Sequence, residues 1–386
     1  MKATEQDVVL PMKISFATDP ALLKDAVTTI GLAADNDDDV LVRLSSRQMR
    51  IMLTDAIEVV VTIPLKRPIG LSEDGNLELQ ISIKAFAGLD DLAESDKDIE
   101  FSIPHFKPAV GDEGRIEIRT GATTIVWFYV LLGGDITPAA SKAIHSLPVN
   151  TDALRRSLQL VRSFAKKSDT NPIFSIMSVS DSAALAGAAS SVRTVQMDAL
   201  VEVDFRVEHA HSKRAIALLG RFTGQSVTLT SDGGHQIISN DHLSCSIPIA
   251  GKGSQWPGRG NSSAEIKLQA FDLANRISRI FAQTKHGRAK PDKSEITLSL
   301  KDARTITFAT PVNGGTAIVE CPILELGDEA EVGATDVSIS AAGLSSFSAV
   351  GDQAISMKIF KSAVLFEQNI QGGNVSTLVV ANRRAL

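Results

Sequence analysis

One order of secondary-structure signals recurs three times along this chain, and it constrains the fold more than any single motif. An amphipathic helical pattern comes first, strand-like alternation follows, then a shorter helical pattern, then alternation again. The leading helices are predicted at 19–33, 150–167 and 267–284. Asp19 and Pro20 open the first, and Asn150 or Thr151 caps the second. The shorter helices are predicted at 83–94, 212–224 and 341–352. Period-2 runs precede them: LELQISI (77–83), VEVDFRV (201–207) and VSIS (337–340). Further runs follow them: IEFSI (99–103), VTLT (227–230) and ISMKI (355–359).

A chain of 386 residues is too long for one comfortable core. The repeat divides it into three α+β domains of similar plan, 1–147, 148–258 and 259–386. The Gly/Ser-rich segment GKGSQWPGRGNSS (251–263) reads as a linker. No long apolar run predicts a membrane helix, and MKATEQDVVLPMKISF does not read as a signal peptide. The two cysteines, Cys245 and Cys321, form no disulfide framework or CxxC, so a reduced cytoplasmic compartment is expected.

Charge is distributed unevenly. The chain carries 45 Asp+Glu against 39 Lys+Arg, a net charge of −6, yet ALRRSLQLVRSFAKK (153–167) holds five bases and no acid. On a helical wheel Arg155, Arg156, Gln159, Arg162, Ser163, Lys166 and Lys167 share one sector, and Leu154, Leu158, Leu160, Val161 and Phe164 the other. Arg214 and Arg221 are spaced to align on the next helix, near Lys213. In the third repeat Arg276 and Arg279 lie opposite Leu273, Ile277, Ile280 and Phe281, followed by Lys285, His286, Arg288, Lys290 and Lys293. Acids concentrate elsewhere, at 34–39, 89–95 and 325–331. A single such helix reads as a solvated face. Three within a repeat suit a polyanion such as duplex DNA. With little aromatic interleaving, stacking on single strands is disfavoured.

Signatures of catalysis are missing. GKGS (251–254) fails as a P-loop, since position 246 is Ser and Gly follows Lys252. No GxGxxG follows a strand, and no GxSxG occurs. His209 and His211 offer two metal ligands without a third, which suits capping or solvent exposure better. Residues 35–39 begin like a calcium loop, but Val40 stands where glycine is required. The expectation is no enzyme activity, no metal and no cofactor.

Several stretches resemble the bacterial sliding clamp, the β subunit of the replicative DNA polymerase. ALLKDAV (21–27) resembles that family's first helix, and Leu53-Thr54-Asp55-Ala56-Ile57-Glu58, within MRIMLTDAIEVVV (49–61), its ATDLE-type strand motif. GRIEIRTGATTIVW (114–127) resembles its strand-turn-strand, and STLVVANRRAL (376–386) its terminal strand and tail. The chain departs from the pattern in three places. An Asp-rich stretch follows the first helix, Ala189-Ser190-Ser191-Val192-Arg193-Thr194 replaces an ATDGHRL-type motif, and the tail lacks Met-Pro-Met. It is similar to a divergent member.

The resemblance implies three similar clamp domains, each with two helices packed on antiparallel sheets, forming a ring as a head-to-tail homodimer. The basic helices would face double-stranded DNA in the hole; the DNA-facing set is Arg155, Arg156, Arg162, Lys166, Lys167, Arg214, Arg221, Arg276 and Arg279. A cleft between the second and third domains would take short peptides of DNA polymerase and clamp loader. Its implied residues are Phe174, Val192, Arg193 and Thr194, then Pro257, then Gly343, Val364, Val379, Val380 and Asn382. For the apolar members, a place in the core is the competing reading. Three alternatives stay open: a clamp paralogue serving repair or translesion partners, an enzyme of tandem β-rich domains, and a structural β-rich assembly protein.

Overall fold

A computed structural model describes residues 12–35, 38–69, 76–87, 98–106, 111, 113–120, 123–132, 145–166, 171–188, 190–200, 203–222, 226–257, 261–286, 295–312, 315–327, 332, 336–345, 347–351 and 353–381. The first third contains β1 (Met12–Thr18), α1 (Pro20–Ala33), β2 (Asp39–Leu44), β3 (Gln48–Leu53), β4 (Glu58–Pro64), β5 (Leu77–Ser82), α2 (Ile83–Ala87), β6 (Ile99–Phe106), β7 (Glu113–Thr120) and β8 (Thr123–Leu131). The middle contains β9 (His145–Pro148), α3 (Thr151–Val161), β10 (Ile176–Ser180), β11 (Ala183–Ala188), β12 (Ser191–Met197), β13 (Phe205–Glu208), α4 (His209–Leu219), β14 (Thr228–Ser231), β15 (His235–Ser239) and β16 (Leu243–Pro248). The last third contains β17 (Ala264–Gln269), α5 (Ala270–His286), β18 (Glu295–Leu300), β19 (Thr305–Val312), β20 (Gly315–Leu326), β21 (Asp336–Ser340), α6 (Ala341–Ser345), β22 (Ala354–Phe360), β23 (Ala363–Ile370) and β24 (Gly373–Val380).

The chain divides into two compact units, Met1–Pro148 with Ala217–Pro248, and Val149–Ile216 with Ile249–Leu386. Each unit holds one sheet of twelve strands. The first runs β1-β6-β7-β8-β5-β2-β3-β4-β16-β15-β14-β9, the second β13-β10-β11-β12-β24-β23-β22-β17-β20-β19-β18-β21. The α+β class with antiparallel sheets is therefore as expected, since strand pairs such as β3–β4 and β23–β24 are antiparallel. Strands from different sequence repeats pair directly: Cys245 of β16 lies opposite Val59 of β4, and Arg193 of β12 opposite Thr377 of β24.

Each sheet buries one face under a helix. Asp19 caps α1 by accepting the Ala21 amide at 2.8 Å, and Pro20 occupies the first turn. Leu23, Ala26, Val27 and Ile30 of α1 are buried, and the helix packs on β3 and β4. Phe16 stacks on Phe101 across the β1–β6 pair at 4.7 Å, with Trp127 edge-on to Phe101 at 6.2 Å. In the second unit Leu273, Ile277 and Ile280 of α5 pack with Phe308, Met357, Val364 and Phe366 in one apolar cluster.

Element ends differ from the sequence reading where tertiary packing intervenes. The helix predicted to 167 ends at Val161, followed by a short 3-10 turn at Arg162–Phe164 and extended Ala165. That exit buries Phe164 and Ala165. The helix predicted from 267 starts at Ala270, because Ala264–Gln269 alternates buried and exposed as a strand. The helix predicted over 341–352 stops at Ser345, and β13 begins at Phe205 within the run 201–207. Of the helix predicted at 83–94, Ile83–Ala87 is helical, and 88–94 lies outside the described residues. Both cysteines are free and buried, in separate units, and burial pushes the Cys245 thiol up to about 12.

Candidate nucleic-acid interface and partner cleft

α3 is built to show bases outward. The Asn150 side chain accepts the Ala153 amide at 3.0 Å, and Asp152 sits in the first turn, where a carboxylate suits the helix dipole. Ala153, Leu154, Ser157, Leu158 and Val161 are buried, and the helix packs on β10, β11 and β12. Arg155, Arg156, Gln159 and Arg162 occupy the remaining face. Arg155 lies 3.6 Å from Asp152, and both side chains are exposed, so that pair is weak. The Arg156 guanidinium donates to the Gln371 carbonyl at 3.2 Å.

Arg162 joins α3 to α4. Its Nε donates to Ser212 Oγ at 3.1 Å, and Ser212 in turn donates to the His209 carbonyl at 2.7 Å. Arg162, Lys213, Gln159, Ser163, His209 and Ile216 line a cavity of about 380 Å³. Burial and the neighbouring Arg162 charge hold His209 below the usual imidazole range. Cationic charge in this cavity therefore comes from Arg162 and Lys213.

The other expected DNA-facing bases are placed differently. Lys166 is exposed but lies past the end of α3, where its amide donates to the Phe174 carbonyl at 2.9 Å. Lys166 therefore leaves the helical sector that the wheel assigned to it. Arg214 is half-buried on α4. Arg221 follows α4 in a 3-10 turn, pairs with Asp25 of α1 and donates through Nε to Thr29 Oγ1 at 3.0 Å. On α5, Arg276 is half-buried and Arg279 exposed. With Ala282 they line a cavity of about 720 Å³ beside Ile318, Val319 and Glu320 of β20. Lys167, Arg288, Lys290, Lys293 and Asn382 lie outside the described residues, as do the side chains of Lys285 and His286.

The second sheet divides the expected peptide cleft between its faces. Strand neighbours point to opposite sides. Arg193, Thr377, Val379 and Val364 share the face that α3 covers, while Val192 and Thr194 point the other way. Arg193 is 1% exposed. Its guanidinium donates to Thr377 Oγ1 (2.9 Å), the Leu160 carbonyl (3.2 Å), and Ser348 Oγ and carbonyl (3.0 and 2.8 Å). The Phe164 ring lies beneath it, 4.4 Å to the centroid. Burial pushes the Arg193 pKa down to about 10.

Val364 and Val379 are directly paired and wholly buried, so they are core side chains. Gly343 keeps the backbone close: a Cβ there would stand 2.4 Å from the Ser190 carbonyl oxygen and 2.9 Å from Val379. Val192, Thr194, Val380 and Phe174 are half-buried. The linker bearing exposed Pro257 is anchored on the face of Val192, where Ser254 Oγ donates to the Gly187 carbonyl at 3.0 Å and Gly187 lies opposite Val192.

Two features escaped the sequence reading. β8 pairs with β5 only through Leu131 and Val130, so its Thr123–Tyr129 edge is open among the described residues. There Phe128 is 76% exposed. β20 meets β17 only near its C-terminal end, from Ile323 onward, leaving its Gly315–Pro322 edge equally open, with Ile318 54% exposed. The signal was present in TTIVWFYVL, which is apolar at both parities and so cannot hide both faces under one core. The carboxylates of Asp35, Asp38 and Asp55 gather within 4.8 Å of one another, with Asp38 already accepting the Asp35 amide.

No family model matches this sequence, and no curated protein matches it. Solved structures do. The DNA polymerase III β subunit of Thermotoga maritima is similar over 96% of this chain and 100% of its own, at 13% identity and a TM-score of 0.68. The sliding clamp of Pseudomonas aeruginosa, bound to griselimycin, covers the same shares at 13% identity and a TM-score of 0.72. The C. crescentus β sliding clamp covers 96% and 99% at 14% identity and a TM-score of 0.71. Over nearly its whole length, the chain has the fold of the bacterial polymerase III β sliding clamps.

Proposed function

We propose that this chain is a divergent sliding clamp: a homodimeric ring of six similar domains that encircles duplex DNA and tethers a DNA polymerase. The observation that carries it is α3, whose sheet-facing side is buried while Arg155, Arg156 and Arg162 occupy the other, in a chain of net charge −6 with a clamp fold. Bases on a helix face suit loose contact with phosphates, and topological closure supplies the retention. The open, apolar edges of β8 and β20 support head-to-tail closure, in which β8 of one copy adds beside β20 of the second. The reading assigns the chain no reaction and no cofactor.

Peptide capture is assigned to the outer face near Val192, Thr194, Val380 and Pro257, with Arg193, Val364 and Val379 as its support from within. The griselimycin on the P. aeruginosa clamp is consistent with ligand capture on this fold. Charge reversal tests the assignment: R155E/R162E should abolish processive synthesis on primed circular DNA while the protein still elutes as a dimer. Full processivity in that variant, or a monomer at micromolar concentration for the native chain, would refute the reading.

A further inference from the structure

The sheet of the first unit carries a second basic site, on the face away from α1. Met49, Ile51 and Leu53 of β3 are buried on the side where α1 packs, so Arg50 points to the opposite side. There a row of directly opposed residues crosses four strands: Glu78, Arg43, Arg50 and Thr62. Two arginines face each other across β2 and β3, which is unfavourable for like charges. Glu78 offsets only one of them. Its Oε1 accepts both Nε (2.6 Å) and Nη2 of Arg43, and both side chains are buried. Arg50 is exposed, as is Arg47 in the β2–β3 turn, and neither has an ion-pair partner among the described residues.

These residues line an open groove of about 590 Å³, bounded by the β2–β3 turn and the β15–β16 turn. The groove adds hydroxyl and amide donors at Ser46, Gln48, Thr62 and Asn76, with His242 at the side. Asp241 is the only carboxylate among its lining residues, and Pro64 the only apolar side chain. The Thr62 amide donates to the His242 carbonyl at 2.7 Å, which holds the two walls together.

We propose that this groove binds the phosphate backbone of a nucleic acid, at a site separate from the helix faces. Guanidinium, hydroxyl and amide donors are the groups that contact phosphate and sugar. The lining holds no Phe, Tyr or Trp on which successive bases could stack, so contact is with the backbone, and backbone contacts carry no sequence information. It also lacks the apolar pocket that anchors a peptide side chain, which disfavours an acidic peptide. The site goes beyond the encirclement reading and survives its failure, because it needs no threaded strand.

The test uses the full-length protein and a covalently closed duplex minicircle, which cannot thread a closed ring without a loader. Hydrogen exchange should slow in peptides spanning 45–50 and 240–243 when the minicircle is added. The protection should weaken with salt, fall at least ~10-fold in apparent affinity in R47E/R50E, fall less in R47Q/R50Q, and persist in R155E/R162E. Absence of protection, or equal protection in R47E/R50E with unchanged thermal melting, would overturn the proposal. Equal protection by a decaglutamate peptide would also overturn it, in favour of an acidic protein partner.

Discussion

Among the described residues each unit buries one arginine, and the two are stabilised by opposite means. Arg43 in the first sheet has a carboxylate partner in Glu78, whose second oxygen, Oε2, is buried without a hydrogen-bond partner among the described residues. Arg193 in the second sheet is held by neutral hydroxyl and carbonyl oxygens and the Phe164 ring. The first arrangement neutralises charge inside one sheet and leaves the neighbouring Arg50 exposed without an ion-pair partner among the described residues. The second instead ties β12 to β24, to the end of α3 and to the segment after α6, so a single side chain fixes several elements. An ion pair is sensitive to loss of its one partner, whereas a set of dipoles degrades in smaller steps.

The largest expected effect comes from breaking the pair on one side only. Glu78→Ala removes the carboxylate beside the buried Arg43 guanidinium, and should cost about 3–5 kcal/mol in urea unfolding. Arg193→Met orphans hydroxyl and carbonyl oxygens at partly buried positions, and should cost about 2–4 kcal/mol. If Arg193→Met proves the more damaging, the contrast is inverted. The double replacement R43M/E78L sharpens it: removing both charges should cost less than about 1.5 kcal/mol, since the pair's attraction is largely offset by desolvation. Asp25→Asn, which breaks the exposed pair with Arg221, should cost about 0–1 kcal/mol in the same assay.

Protonation gives the smallest effect. His209 has a folded pKa below the unfolded value, through burial first and Arg162 second. Below about pH 6.5 the unfolded chain binds a proton that the folded chain resists. Its stabilising contribution is thus present above that pH and lost as pH falls. Urea midpoints measured between pH 7.5 and 5.5 should decline more steeply in the native chain than in His209→Gln.

Periodicity made the recurring helices and strands legible. Asp19, Pro20 and Asn150 marked helix starts correctly, because capping is local chemistry. Helix ends were less legible. Nothing local in RSFAKK stops a helix, and α3 ends because Phe164 turns in beneath a guanidinium that comes from β12. The helix predicted over 267–284 takes in KLQ, but Ile266 and Leu268 alternate into the apolar cluster that α5 covers, so the segment is a strand between β20 and β22. The basic face of α3 could be read from spacing alone. The expected cleft residues were not separable in this way, since Val192 and Arg193 are neighbours in sequence and lie on opposite faces of a sheet. The groove around Arg50 depended on the β15–β16 turn meeting β4, a contact that no local pattern encodes.

Retention on DNA of defined topology tests the central claim most directly. Protein loaded by a clamp loader onto a nicked circle should remain bound through a high-salt wash and leave within minutes once a restriction cut opens the circle. Dissociation at the same rate before and after the cut would mean that contact, not encirclement, holds the protein, and would contradict the account.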